Sequence, residues 1–146
     1  MDDLVEEEKT IPKRGNYDIK AAIDTIHKNV KINLQTGKPK DETKYTHWCA
    51  KSVRLALQQG GLDMSGRPNY GGQYGPYLLS KGWVALPKGS KPEAGDVAVT
   101  IPHGSKKGGH IALFDGKDWY SDAKQRSMYV YRTANDNNTT IYRYAG

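Results

Sequence analysis

"GGHIALFDGKDWYSD", residues 108–122, decides the fold. "HIALF" is a short β-rich run, and four apolar residues in a row need cover on both faces, which marks an interior strand. "DGKD" (115–118) is a hairpin turn, so "WYSDA" returns antiparallel beside it. On a pleated strand His110, Ala112 and Phe114 share one face. Small Ala112 leaves room there for a helix to press against the sheet.

Outward from this hairpin, "DVAVTI", "SMYVYR" and "TIYRYA" carry the alternation or the β-branched and aromatic content of further strands. The N-terminal half reads differently. In "NYDIKAAIDTIHKNV", Ile19, Ala22, Ile23, Ile26 and Val30 fall at helical spacing, with His27 beside the stripe as a boundary residue. "HWCAKSVRLALQQGG" is a second helix. Its apolar stripe is Ala50, Val53 and Leu57, Thr46 is its N-cap candidate, and Gly60-Gly61 ends it. "GLDMSGRPNYGGQYGP" is a glycine-rich loop, "YGPYLLSKG" a short helix ending at Gly82, and "GWVALPKGSKPEAG" a connection into the β region. Helices first and strands afterwards predict an α+β fold, N-terminal helices packed on one antiparallel sheet. Residues 1–15 read as a flexible charged tail and 16–146 as a single domain.

The core of such a domain is economical, because hydrophobic residues make up only 36% of the chain and its mean hydropathy is −0.79. Tyrosine supplies bulk instead, with 10 Tyr against 1 Phe. No apolar run approaches the ~18 residues of a membrane span. "MDDLVEEEKT" lacks the apolar segment of a Sec signal, so export is expected to follow another route. The net charge is +6, and five acids fall within residues 1–8. The remaining 22 basic and 11 acidic residues give the body +11. That suits an anionic partner such as a cell-wall polymer, a membrane surface or nucleic acid, and equally serves solubility.

Cys49 is the single cysteine, which excludes an intramolecular disulfide and a cysteine-rich zinc site. It falls in the first turn of its helix, near the positive end of the helix dipole, a position that favours the thiolate. A thiolate nucleophile also needs an imidazole. His47 is two residues away and is better placed to shape the site than to accept the proton. His103 lies in a Gly- and Lys-rich loop. His110, at the head of the interior strand, is the candidate base. Its ring needs a second polar group to hold it. Asp122 on the returning strand is the candidate, with Ser121 facing away and Asp115 and Asp118 shaping the turn. A buried structural cysteine is the competing reading.

"THWCAKSVRLALQQGG" (46–61), "GDVAVT" (95–100) and "GGHIALFDGKDWYSDAKQ" (108–125) resemble the NlpC/P60 and CHAP superfamily of peptidoglycan amidases and endopeptidases. The likeness runs over residues 45–126 and is greatest to small cell-wall hydrolases of phages and type VI secretion effectors. It implies a papain-like α+β fold with Cys49 as nucleophile, His110 as general base and Asp122 as the third polar residue, a place where relatives also carry Glu, Asn or His. Relatives often have Asp just before the nucleophile, and here Trp48 stands there. Tyr45 matches an upstream tyrosine, and Tyr45 or His47 is expected to add an oxyanion donor to the Cys49 N–H.

The implied activity is amide hydrolysis in peptidoglycan stem peptides or cross-links, without metal or cofactor. The expected site of action is the periplasm or wall of a target bacterium. A cognate immunity protein is the expected partner of an antibacterial effector. Neither membrane insertion nor nucleic-acid binding is expected. Tyr70, Tyr74, Tyr77 and Trp83 are candidates for the substrate groove, with core packing the favoured alternative for each. The rival functions are a non-catalytic wall or nucleic-acid binding module and a Cys-His acyltransferase or deamidase acting on protein.

Overall fold

The computed structural model describes residues 13–36, 48–101, 108–129 and 134–146. The chain opens on a two-stranded ribbon, β1 (Lys13–Arg14) and β2 (Tyr17–Asp18), so the segment expected as a tail contributes its last residues to structure. Helices α1 (Ile19–Thr36) and α2 (Trp48–Gln59) follow and pack on each other. A 3-10 turn (Gly71–Gln73) leads into α3 (Tyr74–Ser80). The strands are β3 (Trp83–Ala85), β4 (Val97–Thr100), β5 (His110–Phe114), β6 (Trp119–Tyr120) and β7 (Thr139–Tyr144). They form an antiparallel sheet in the order β3-β7-β4-β5-β6. The fold is α+β, helices first and sheet afterwards, as the pattern of periods predicts.

The helical stripes do what their spacing requires. Ile19, Ala22, Ile23, Ile26 and Val30 of α1 are buried, as are Ala50, Val53 and Leu57 of α2. Helix α2 ends in a Schellman motif. The Leu62 N–H donates to the Leu57 carbonyl at 3.1 Å and the Gly61 N–H to the Gln58 carbonyl at 2.9 Å, with Gly61 at φ +89°. Gly60 cannot be larger: a Cβ there would sit 2.9 Å from the Asp18 carbonyl oxygen.

The sheet has a core on each face. On one, α1 and α2 cover Val97, Val99, Ile111 and Leu113, extended by the aromatic trio Tyr17, Trp83 and Tyr144. On the other, Ala98, Ala112, Phe114, Trp119 and Ile141 form a smaller cluster. This corrects the expectation that a helix presses on the Ala112 face. The helices take the face with the larger branched side chains, Ile111 and Leu113, because these bury more apolar area against a helical layer. Trp83 is likewise a core residue, 3% exposed.

Two strand assignments also change. Trp83–Ala85, read as connection, pairs with β7 as an edge strand. Ser127–Tyr129, read as the start of a strand, is irregular, and the rest of "SMYVYR" lies outside the described residues. "DGKD" is the turn its composition predicts. The Asp115 carboxylate accepts from the N–H groups of Lys117 at 2.8 Å and Asp118 at 2.6 Å. Its other oxygen lies 2.9 Å from His27 Nε2, tying α1 to the hairpin.

Candidate active site

Cys49 lies in the first turn of α2, where that helix packs on β5. It is half-buried, and its thiol takes a hydrogen bond from the backbone N–H of Ile111, the residue after His110. The N–H groups of Cys49 and Ala50 also point at the sulfur. The sulfur therefore sits against the His110–Ile111 peptide at the head of the interior strand.

Two glycine pairs make this approach possible. The Gly72 N–H donates to the Gly108 carbonyl at 2.9 Å. A Cβ on Gly71 would lie 2.8 Å from the His110 carbonyl carbon, and one on Gly109 would lie 2.5 Å from the Gly72 Cα. Gly109 also has φ +77°, a conformation side chains other than glycine's rarely adopt. Backbone thus packs on backbone beside the imidazole, and "YGG" (70–72) and "GGH" (108–110) act as one unit.

The ring of His110 is held by Gln125, whose Oε1 is 2.5 Å from His110 Nε2. The Gln125 amide nitrogen donates to the Ser127 carbonyl at 3.0 Å, which fixes which end of the amide is oxygen. An amide oxygen only accepts, so His110 Nε2 is the N–H donor. In the neutral ring Nδ1 then carries the lone pair available for a proton.

Gln125 was not singled out by sequence reasoning. A regular hairpin places Asp122 opposite Ile111, two residues beyond the last pair, Leu113 with Tyr120. Instead β6 stops at Tyr120, residues 121–123 bend, and Tyr120 bridges to Lys124. The Gln125 N–H then returns to the Trp119 carbonyl at 2.8 Å. Adjacent polar residues after a short strand are the one signal that such a detour occurs. Asp122 stands in the bend, takes the Ser121 hydroxyl at 3.1 Å, and is near enough for its charge to act on the Cys49 thiol.

Burial pushes the Cys49 thiol above its ordinary value and the Asp122 charge pushes the same way, while the N–H groups of Ile111, Ala50 and Cys49 oppose them. The helix terminus therefore does not by itself produce a resting thiolate, contrary to the expectation from position. Desolvation of the sulfur is the largest of these effects.

Tyr74, at the start of α3, is buried and reaches the neighbourhood of the sulfur. Its hydroxyl is pushed up to about 12, by burial first, against the lowering charges of Arg54 and Arg67. Tyr77 is half-buried, and its hydroxyl donates to the Ser65 carbonyl at 2.7 Å. Tyr45, Thr46, His47 and His103 lie outside the described residues.

One cavity borders His110 and another borders the residue after Cys49. A cavity of about 390 Å³ is bordered by His110, Asp122, Gln125, Arg126 and Tyr129. A smaller one of about 180 Å³ lies against Ala50, Arg54, Arg67 and Tyr74. Among the described residues no three His, Cys, Asp or Glu side chains gather as metal ligands, and no helix is long and apolar enough to cross a membrane.

No protein-family model matches the chain and no curated protein matches it. Two crystal structures do, both of the type VI effector–immunity complex Tae3–Tai3 from Ralstonia pickettii. The native form is 28% identical with a TM-score of 0.57, covering 90% of this chain and 98% of that one. The selenomethionine form has a TM-score of 0.61 and covers 84% of this chain. At 30% identity over 98% of that second structure's chain, the protein belongs to the Tae3 family of type VI effectors.

Proposed function

We propose that the chain is a peptidoglycan amidase of papain-like, NlpC/P60-related fold, delivered by a type VI machine as an antibacterial effector. The observation that carries this reading is the meeting of the single cysteine, at the mouth of α2, with the peptide that follows His110, in a member of an effector family.

The chemistry is acyl transfer to sulfur. His110 Nδ1 accepts the Cys49 proton as the sulfur forms its bond to the scissile carbonyl carbon. The oxyanion is stabilised by the N–H of Cys49 and a second donor, with Tyr45 and His47 the candidates. The imidazolium returns its proton to the leaving amine as the C–N bond breaks. Water, giving a proton to His110, then adds to the thioester, and the departing thiolate recovers that proton. Gln125 holds the ring through Nε2. Asp122 sets the local charge and is the alternative positioning group. No metal takes part in these steps.

The chain acts in the periplasm or wall of the target cell. A cognate immunity protein that covers the groove protects the producer, as the neighbours' effector–immunity complexes suggest. The test is digestion of purified sacculi followed by mass spectrometry of the muropeptides. Wild type releases peptides cut at one amide bond, and Cys49→Ala releases none while keeping its fold. Undiminished release by Cys49→Ala refutes the proposal.

A further inference from the structure

The smaller cavity beside the nucleophile has a chemistry the hydrolytic steps do not use. Ala50 and Arg54 are four residues apart on α2 and so share a face one turn apart, beginning at the residue after Cys49. Arg67 reaches the same space from the loop after α2, and Lys51 and Asn69 border it. Buried Tyr74 forms part of its wall.

Two of the described arginines are paired with carboxylates: Arg14 with Glu93 at 2.6 Å and Arg143 with Asp96 at 2.8 Å. Arg54 and Arg67, by contrast, have no carboxylate partner among the described residues. Arg54, Arg67 and Tyr74 line the same small volume, and the Tyr74 hydroxyl also feels the Cys49 sulfur, which lies one residue before the cavity's Ala50. Tyr74 stays protonated at neutral pH and offers an O–H donor instead of a competing anion.

We propose that this pocket is an oxyanion subsite that takes a free carboxylate of the peptide substrate next to the scissile amide. The assignment of a peptide rests on the amidase reading above; the preference for an anion beside Cys49 does not. Two guanidinium groups converging on about 180 Å³ suit a planar carboxylate, which each can grip through paired N–H donors. Stem peptides of the bacterial wall carry such carboxylates, and many are capped as amides, so the subsite selects uncapped peptides. Phosphate of a wall polymer shares the oxyanion chemistry, and competition experiments separate the two.

The experiment uses the uniqueness of Cys49. Iodoacetate and iodoacetamide both alkylate the thiolate, and only iodoacetate carries a carboxylate. Their rate ratio is therefore independent of how much thiolate is present. At low ionic strength the ratio is expected to fall about two- to fivefold in Arg54→Gln and again in Arg67→Gln, the order of effect of removing one nearby charge at near-aqueous dielectric. Lys88→Gln, which removes the same charge from a site paired with Asn137, leaves the ratio unchanged. In the second arm, paired stem peptides differ only in amidation of their free carboxylates. Wild type prefers the acid about tenfold in kcat/KM, as loss of one charged hydrogen bond implies, and both arginine variants lose that preference through KM. Inorganic phosphate that competes more strongly than acetate reassigns the ligand to phosphate and overturns the carboxylate assignment. A ratio unmoved by either arginine, or moved equally by Lys88→Gln, overturns the subsite. Absence of any muropeptide cleavage by wild type, with the ratio still arginine-dependent, removes the amidase reading and leaves the anion pocket standing.

Discussion

Replacing Arg143 by methionine keeps the side-chain stem and removes the guanidinium that closes one end of the sheet. Arg143 on β7 donates through Nε to Asp96 Oδ1 at 2.9 Å and through a terminal nitrogen to Asp96 Oδ2 at 2.8 Å. The Asp96 side chain is 1% exposed and that of Arg143 22%. The same carboxylate accepts from the Glu93 N–H at 2.7 Å, so the pair fastens β7 to the turn that feeds β4. Removing one partner of a buried pair costs about 3–5 kcal/mol, since the other charge is left in low dielectric. The partial exposure of Arg143 lets water reach the vacated place, so the lower end, about 3 kcal/mol, is expected. For a chain of this size each kcal/mol moves Tm by about 2–4 °C, giving a fall of about 6–12 °C by calorimetry. Adding Asp96→Asn to Arg143→Met removes the stranded charge and recovers part of that loss, with a coupling of about 1–3 kcal/mol in the double-mutant cycle. Strictly additive single effects, or a fall in Tm below about 2 °C, refute the reasoning. The rate of Cys49 alkylation at 25 °C is unchanged throughout, because the clamp lies outside the site.

The raised Cys49 thiol predicts an iodoacetamide rate that climbs with pH to an inflection above the ordinary thiol value of about 8.5. Asp122→Asn, by removing a charge that disfavours the thiolate, moves the inflection down. An inflection below about 7 in wild type contradicts the burial argument. Linkage gives the sign for stability: Cys49 contributes stability below the ordinary thiol value, and that contribution is lost as pH rises through the folded-state value. Gln125→Leu frees the His110 ring and lowers kcat about ten- to a hundredfold with KM little changed. The nitrogen chemical shifts of His110 then report a mixture of tautomers where wild type shows the Nε2–H form. A single unchanged tautomer in that variant refutes the role of Gln125.

"GDV" at the entry to β4 shows how a motif is legible before its reason is. The sequence marks residues 95–97 as the start of a strand within a resemblance to wall hydrolases. Only the packing gives Asp96 a structural task, the clamp with Arg143, and gives Gly95 a steric one. A Cβ on Gly95, at φ +92°, would sit 2.8 Å from the Ile19 side chain. Arg143 lies 47 residues from Asp96, and no local period predicts that pairing.

Local physics determined the elements: the 3.6-residue stripes of α1 and α2, the glycine stop of α2, the "DGKD" turn and the strand "HIALF". Each depends on neighbours within a few residues, so sequence alone carries it. The pairing of Cys49 with the head of β5 was suggested by chemistry and family likeness. Its surroundings were set by tertiary structure: which sheet face the helices take, the detour that brings Gln125 to His110, the glycine pairs that let backbones touch, and the convergence of Arg54 and Arg67. These depend on which surfaces exclude water from one another across long stretches of chain, and that competition has no local signature in the sequence.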